Sequence, residues 1–361
     1  MATVAKERMI SMIIEVVFSV SFVFGQLLSL IFPSIRWSFL DVFAACMSLL
    51  WMIRLVQKKS SVRQGRLLPW MSLFILVSAI VLPHTIDNWL YLVRWTAYAG
   101  MYAYVVSENR RISWRMVLYS AGVAMAVIGL VQYVVYPDLR NLTYLGWDPH
   151  YRRVFATLFD PNFAGIIYTL TFFSGMWLWR YRMHRIWTIF GLPVAGVALL
   201  FTYSRSTFLA FIAGIGIWFL ARRSYGKFIG LLLVFITCIL LLPMGMEGQN
   251  LLRSTSSFAR IGSMAIGWNR LMQSPLLGNG FVPGGIDTSL LFAFASVGLF
   301  GGIAYVMLLI RMFVSKDTLL GSTLVAVFVH SVFLNSLFYP WVMVWVWILI
   351  AETEKEITAG R

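Results

Sequence analysis

The residues able to do chemistry in this 361-residue chain are arginines set in polar breaks between long apolar runs. Arg152 and Arg153 open the stretch RRVFATLFDPN, which closes on Asp160, Pro161 and Asn162, and His150 stands just before it. Arg205 sits in the turn FTYSRST, Arg260 and Arg270 lie in FARIGSMAIGWNRLMQSP, and Asp287 is the last charge before the next apolar run. A guanidinium holds its charge in any environment and offers a planar fork of donors that matches phosphate. Each motif also has a plainer reading. Asp160 and Pro161 make a helix start, with Asp as cap and Pro at the first position. Arg205 can snorkel from the mouth of a hairpin, and Asp287, followed by Thr288 and Ser289, reads equally as a helix N-cap.

The elements that position these residues follow from composition. Hydrophobic residues make up 60% of the chain and charged residues 12%, and mean hydropathy is +0.80. Ordinary soluble domains are about 45–50% apolar and about 25% charged. The sequence therefore predicts an all-α polytopic membrane protein forming a single transmembrane domain over residues 1–361. A crossing needs about 20 apolar residues, which gives twelve candidate spans: 9–32, 37–56, 66–83, 88–107, 114–136, 159–180, 186–203, 206–222, 227–245, 287–310, 318–336 and 339–352. The count becomes eleven if the last two merge into one helix bent at Tyr339 and Pro340. Cys46 and Cys238 both lie inside apolar runs, so a disulfide framework is not expected.

Cytoplasmic loops carry the excess of lysine and arginine. Twenty of the 29 basic residues fall on alternate connections, which places those connections, and both termini, inside. The nine on the other side are Arg36, Arg94, Arg140, Arg152, Arg153, Arg205, Arg253, Arg260 and Arg270, with no lysine among them. The formal charge of +15 thus reflects topology. It does not predict nucleic-acid binding, since no soluble basic domain is present to carry it. Arg94 lies inside a span, where a charge is expensive; pairing with Glu15 or Asp41 is its structural reading.

The outer-face loop 246–286 contains an amphipathic helix. Ile261, Met264, Ala265, Trp268, Leu271 and Met272 recur at helical spacing and share one side. Arg253 and Arg260 are nearly eclipsed and Arg270 lies within about a quarter turn of them, at roughly 100° per residue, which makes a cationic edge. Residues 251–272 are expected to form a lid on the outer leaflet, with Gly262, Gly267, Gly278 and Gly280 as hinges. The outer aromatics Tyr144, Trp147 and Tyr151 are placed to stack on sugar faces.

In order, RRVFATLFDPN, LLFTYSRSTFLAFIAG, RIGSMAIGWNRLMQSPLLGNGF and IDTSLLFAFASVGLFGG resemble the O-antigen polymerase and O-antigen ligase superfamily, the Wzy and WaaL type of bacterial envelope glycosyltransferases. The likeness covers residues 150–305 and extends more loosely to the C-terminus. It implies a GT-C-like membrane fold in the bacterial inner membrane with its active site on the periplasmic face. Arg153 matches the arginine before the family's Gly-Thr-Phe and Pro-Asn signature, here altered to Ala156-Thr157-Leu158 and Pro161-Asn162. Arg205 matches the arginine of its Ser-Arg turn, and Arg260 the arginine that precedes its Pro-Leu-x-Gly by 15 residues, here Pro275 to Gly278. Met264 stands where the family usually has Trp. Asp287 and Thr288 stand where ligases carry a His-Asn pair that supplies the base; polymerases more often show Asp there.

The resemblance implies transfer of a glycan from a polyprenyl diphosphate to a hydroxyl. For a polymerase the acceptor is a second lipid-linked repeat unit; for a ligase it is a lipid A core. Arg153, Arg205 and Arg260, with Arg152 and Arg270, would bind the departing diphosphate. Asp287 would be the base, with Asn162 and His150 as accessories. No cofactor is expected, and no metal, because the chain has no Asp-x-Asp and its histidines lack ligand spacing. Expected partners are the lipid-linked oligosaccharide, membrane lipid and a chain-length regulator protein. The rival from another class is a transporter or lipid flippase, which the lack of an evident repeat disfavours.

Overall fold

The computed structural model describes residues 2–32, 37–57, 65–83, 85–108, 112–243, 249–251, 255–281, 285–313 and 317–358. Arg36, His84, Arg253 and parts of the 246–286 loop lie outside the described residues. The described residues form fourteen α-helices and no strand. They are α1 (Ala2–Phe24), α2 (Leu27–Ile31), α3 (Phe39–Val56), α4 (Leu68–Val81), α5 (Ile86–Ser107), α6 (Trp114–Val135) and α7 (Pro161–Arg180). There follow α8 (Arg185–Leu200), α9 (Arg205–Leu220), α10 (Tyr225–Leu240), α11 (Thr255–Gln273), α12 (Ser289–Met312), α13 (Thr318–Ser331) and α14 (Pro340–Thr358).

Every apolar run read from the sequence is helical: the first falls on α1 and α2, the rest on α3 to α10 and α12 to α14. Three helices, α3, α6 and α12, are long and apolar enough to cross a membrane, and α4, α8, α9, α10 and α13 are shorter apolar helices. The last two runs do not merge. Residues 332–339 separate them, including a 3-10 turn at Ser336–Phe338, and Pro340 opens α14 instead of bending it.

Contacts divide the chain into two units interleaved in sequence. The first takes residues 1–43, 110–253 and 318–326; the second takes 44–109, 254–317 and 327–361. In the first unit α7 is the central helix, packed on α6, α8 and α9. Small residues let the backbones approach: Gly165 meets Thr207, and Gly175 meets Tyr119 and Leu192. In the second, α14 packs on α5, and α12 packs on α4 and α11. From Pro340 to Ala351 α14 is buried all round, the mark of an interior helix. Its charged end is then satisfied locally, with Tyr102 donating to Glu354 at 2.7 Å and Lys355 to the Glu108 carbonyl at 2.7 Å.

Candidate functional site

Residues 136–162 fold as a structured loop in the first unit. Asp138 and Tyr151 form an isolated β-bridge, and Leu139, Phe155 and Phe159 make a small core on which Trp147 packs. Trp147 is therefore spent on packing, with its ring 4.9 Å from that of Phe159, and Tyr151 lies under Arg140 at 4.3 Å. Tyr144 remains exposed. Arg140 donates to both carboxylate oxygens of Asp138, and those hydrogen bonds hold that carboxyl below its usual range. Gln132, an amide inside the apolar run of α6, accepts from the amides of Phe155 and Ala156 at 3.0 and 3.2 Å. It fixes the segment that precedes α7, a role its position in the sequence did not announce.

Arg153 is the hub. It is 4% exposed, and its Nε donates to the Thr202 carbonyl at 2.7 Å. Its two terminal nitrogens reach the Asn162 Oδ1 and the Tyr203 carbonyl, both at 3.5 Å, and His150 Nδ1 at 3.4 Å. A guanidinium can only donate, so Nδ1 of His150 accepts and the ring proton sits on Nε2. Asn162 Oδ1 also accepts from Ser204 Oγ at 2.7 Å. The first two motifs are thus one hydrogen-bonded structure. Arg153 fastens the FTYSRST turn to RRVFATLFDPN through these bonds. Arg152, by contrast, is exposed, with a left-handed φ of 46°.

Arg205 is the first residue of α9. A cation at a helix N-terminus opposes the macrodipole and costs stability there. Ser204 holds the N-cap position but makes no side-chain cap bond, since its hydroxyl is turned to Asn162. Positive helix end and guanidinium together make a setting for an anion. Asp160 caps α7 as expected, accepting from the amides of Asn162 and Phe163 at 2.6 and 3.3 Å.

The ligand atoms of Asp148, His150 and Asp160 lie within 4.8 Å of one another. Sequence spacing gave no sign of this set. Two carboxylates and an imidazole suit a divalent cation in principle. With Arg153 donating to His150 Nδ1, however, Nε2 carries a proton, and a protonated ring nitrogen cannot ligate a cation.

In the second unit α11 forms where the amphipathic run predicts it, and its orientation is informative. Ser263 and Gly267 are buried, while Ile261, Trp268 and Met272 are at least half exposed. The helix therefore docks through its small residues and turns its apolar side outward. Arg260 and Arg270 fall on the docking side and are half-buried. Arg260 lies over the Phe333 ring at 5.4 Å. The Asp287 amide donates to Ser263 Oγ at 2.6 Å, which holds Asp287 against α11 one turn from Arg260. Thr288, not Asp287, occupies the N-cap position of α12, and its hydroxyl donates to the Val332 carbonyl at 3.0 Å.

The stretch after α11 is built into a broken helix. Gly298, at φ 64° and ψ −168°, interrupts α12. The carbonyls of Ala295 and Ser296 accept from the amides of Asn279 and Gly280 at 3.0 and 2.9 Å, and Leu299 donates to the Pro275 carbonyl at 2.8 Å. Asn88 completes the joint by accepting from the Phe281 amide at 2.6 Å. Gly278 and Gly298 allow this backbone contact, because a Cβ on either would meet main-chain atoms of the other segment. Gly278 and Gly280 are packing positions and not the hinges expected. Gly267 packs on Leu291, and only Gly262 of the four faces open space.

No family model, curated protein or solved structure matches this chain.

Proposed function

We propose that the chain is a glycan polymerase of the bacterial inner membrane, with twelve spans in a GT-C-like arrangement and its chemistry on the periplasmic side. The observation that carries the reading is the Arg153 network, which makes one structure of the two motifs and leaves Arg205 at the start of α9. Outward-facing apolar residues on α1, among them Met12, Val16 and Val20, oppose the inward Phe18 and Phe22. A helix apolar on both sides suits a lipid surround.

In this reading Arg205 and the α9 N-terminus hold the diphosphate, with Arg152 adding positive charge and Arg153, Asn162 and His150 positioning the turn; the resemblance gives Arg260 and Arg270 the same diphosphate role. The acceptor hydroxyl attacks the anomeric carbon. Its bond to the lipid diphosphate breaks, the electron pair leaves with the diphosphate, and the hydroxyl proton passes to the Asp287 carboxylate. Arginine is the apt cation because it stabilises charge where it develops in the transition state. The rival ligase reading changes only the acceptor, and the transporter reading forms no bond at all. Purified chain given lipid-linked repeat units should produce a ladder of lengthening glycans. Translocation without a ladder would support a transporter instead.

A further inference from the structure

At the other end of α7 from the candidate site, the connections α7–α8 and α9–α10 enclose a cavity of about 410 Å³. Arg180, Arg182, Arg185, Arg222 and Lys227 line it, together with Trp179 and Trp218. A 20-residue helix is about 30 Å long, the thickness of a bilayer's hydrocarbon core. We propose that this cavity binds the phosphate headgroup of an anionic phospholipid.

Topology alone explains why basic residues are on this side, but solvated loop charges would splay apart. Here they converge. Arg222 is stacked on Trp218 at 3.9 Å and donates to its carbonyl at 2.9 Å, while Arg185 lies 6.0 Å from the Trp179 ring. Arg182 and Arg223 keep left-handed backbone at φ 57° and 51°. The chain from Pro161 to Met246 contains no aspartate or glutamate, and no carboxylate is among the residues lining the cavity. The negative charge that balances five cations around one cavity comes from outside these four helices. The surroundings choose a lipid over a free phosphate: Trp179, Tyr181, Ile186, Trp187 and Phe190 are all exposed beside it. Aromatic residues at the headgroup level and basic pockets between helices are how membrane proteins hold anionic lipid.

The inference rests on the membrane part of the proposed function and is independent of the transferase part. Its test reconstitutes the full chain into vesicles of equal phosphatidylcholine and phosphatidylglycerol, checks insertion by flotation, and reads retained lipid by native mass spectrometry. Phosphatidylglycerol should be enriched among the retained lipids. The enrichment should be lost in the combined variant Arg180→Gln, Arg182→Gln, Lys227→Gln, since three surface cations together are worth on the order of a hundredfold in affinity for anionic lipid. These side chains are exposed, and a second variant with Lys at both arginines should keep the enrichment, which separates charge from folding. Equal retention of the two lipids by a floating protein overturns this inference alone; failure to float overturns the membrane reading with it. Inorganic phosphate added in lipid-free detergent should leave thermal unfolding unchanged. A phosphate shift that the Gln variant abolishes, without lipid preference, reassigns the cavity to a free anion and overturns the lipid assignment.

Discussion

The Nε of Arg153 donates to the main-chain carbonyl of Thr202 at 2.7 Å across 49 residues of sequence. The same guanidinium reaches the Tyr203 carbonyl and Asn162, so the arginine before the helix start and the turn before α9 form one piece. A motif arginine expected to bind ligand also clamps the turn that opens α9 at Arg205.

The two arginines should therefore fail differently. Arg153→Lys cannot span Thr202, Asn162 and His150 from one point charge. It should lower the thermal unfolding temperature, with carbonyls left unsatisfied at about 1–3 kcal/mol, and activity should fall with it. Arg205→Lys should hold stability within about 0.5 kcal/mol, as a half-exposed position does, yet lose the glycan ladder nearly as badly as Arg205→Ala. Thermal unfolding and ladder assays on the same preparations check this, and the assignment of roles fails if Arg205→Lys unfolds early or Arg153→Lys does not.

The joint between the 275–281 stretch and α12 gives a second test. Gly298 sits in a backbone region open essentially to glycine alone, which costs other residues about 1–3 kcal/mol, and its added Cβ would meet the Leu276 carbonyl. Gly298→Ala and Gly278→Ala should both destabilise strongly. Gly262→Ala, inside α11 with open space beside it, should stabilise by about 0.5–1 kcal/mol. Unfolding midpoints of the three variants in one detergent decide it. A neutral Gly298→Ala would mean that the helix closes over the break.

What the sequence made legible was what periodicity and length encode. Each apolar run became a helix, α11 formed on its predicted run, and Asp160 capped α7. The division into two units was not legible, because each unit gathers three separated stretches and no linker marks a boundary. Gly298 was hidden for another reason: a glycine in an apolar run is ordinary, and only its pairing with the 279–280 amides reveals a break. The amphipathic pattern of α11 gave the apolar side correctly but not its direction. The docking residues are Gly267, whose lack of a side chain admits Leu291 of α12, and Ser263, whose hydroxyl takes the Asp287 amide. Asp148, His150 and Asp160 meet only because the 138–151 bridge folds the loop back on itself.

That cluster bears on metal dependence. Arg153 already supplies positive charge beside His150 and fixes its ring proton on Nε2. Treatment with a chelator should therefore leave the rate of ladder formation unchanged, and added magnesium or manganese should not raise it. Loss of activity on chelation, restored by one cation and abolished by Asp148→Asn, would replace the arginine-only account with metal-assisted departure of the diphosphate.

Asp287 sits at the start of α12 beside α11. Its competing role was to cap α12, and Thr288 occupies that position while Asp287 is held from behind by its amide on Ser263. The N-cap position is thus filled without Asp287, and both Asp287→Asn and Asp287→Ala should leave α12 formed, as helix content by circular dichroism would show. A base that accepts the acceptor's proton is lost equally in both, because an amide of the same shape takes no proton. Both variants should stop the ladder while still binding lipid-linked donor. The assay offers two acceptors at once, a second lipid-linked repeat unit and a lipid A core, and separates products by size. The polymerase reading expects a ladder on the repeat unit and none on the core; transfer of single chains to the core would assign the chain to the ligases. If Asp287→Asn keeps the ladder, the proton goes elsewhere, and His330, buried with its Nδ1 2.6 Å from Ser336 Oγ, is the next group in this unit to substitute.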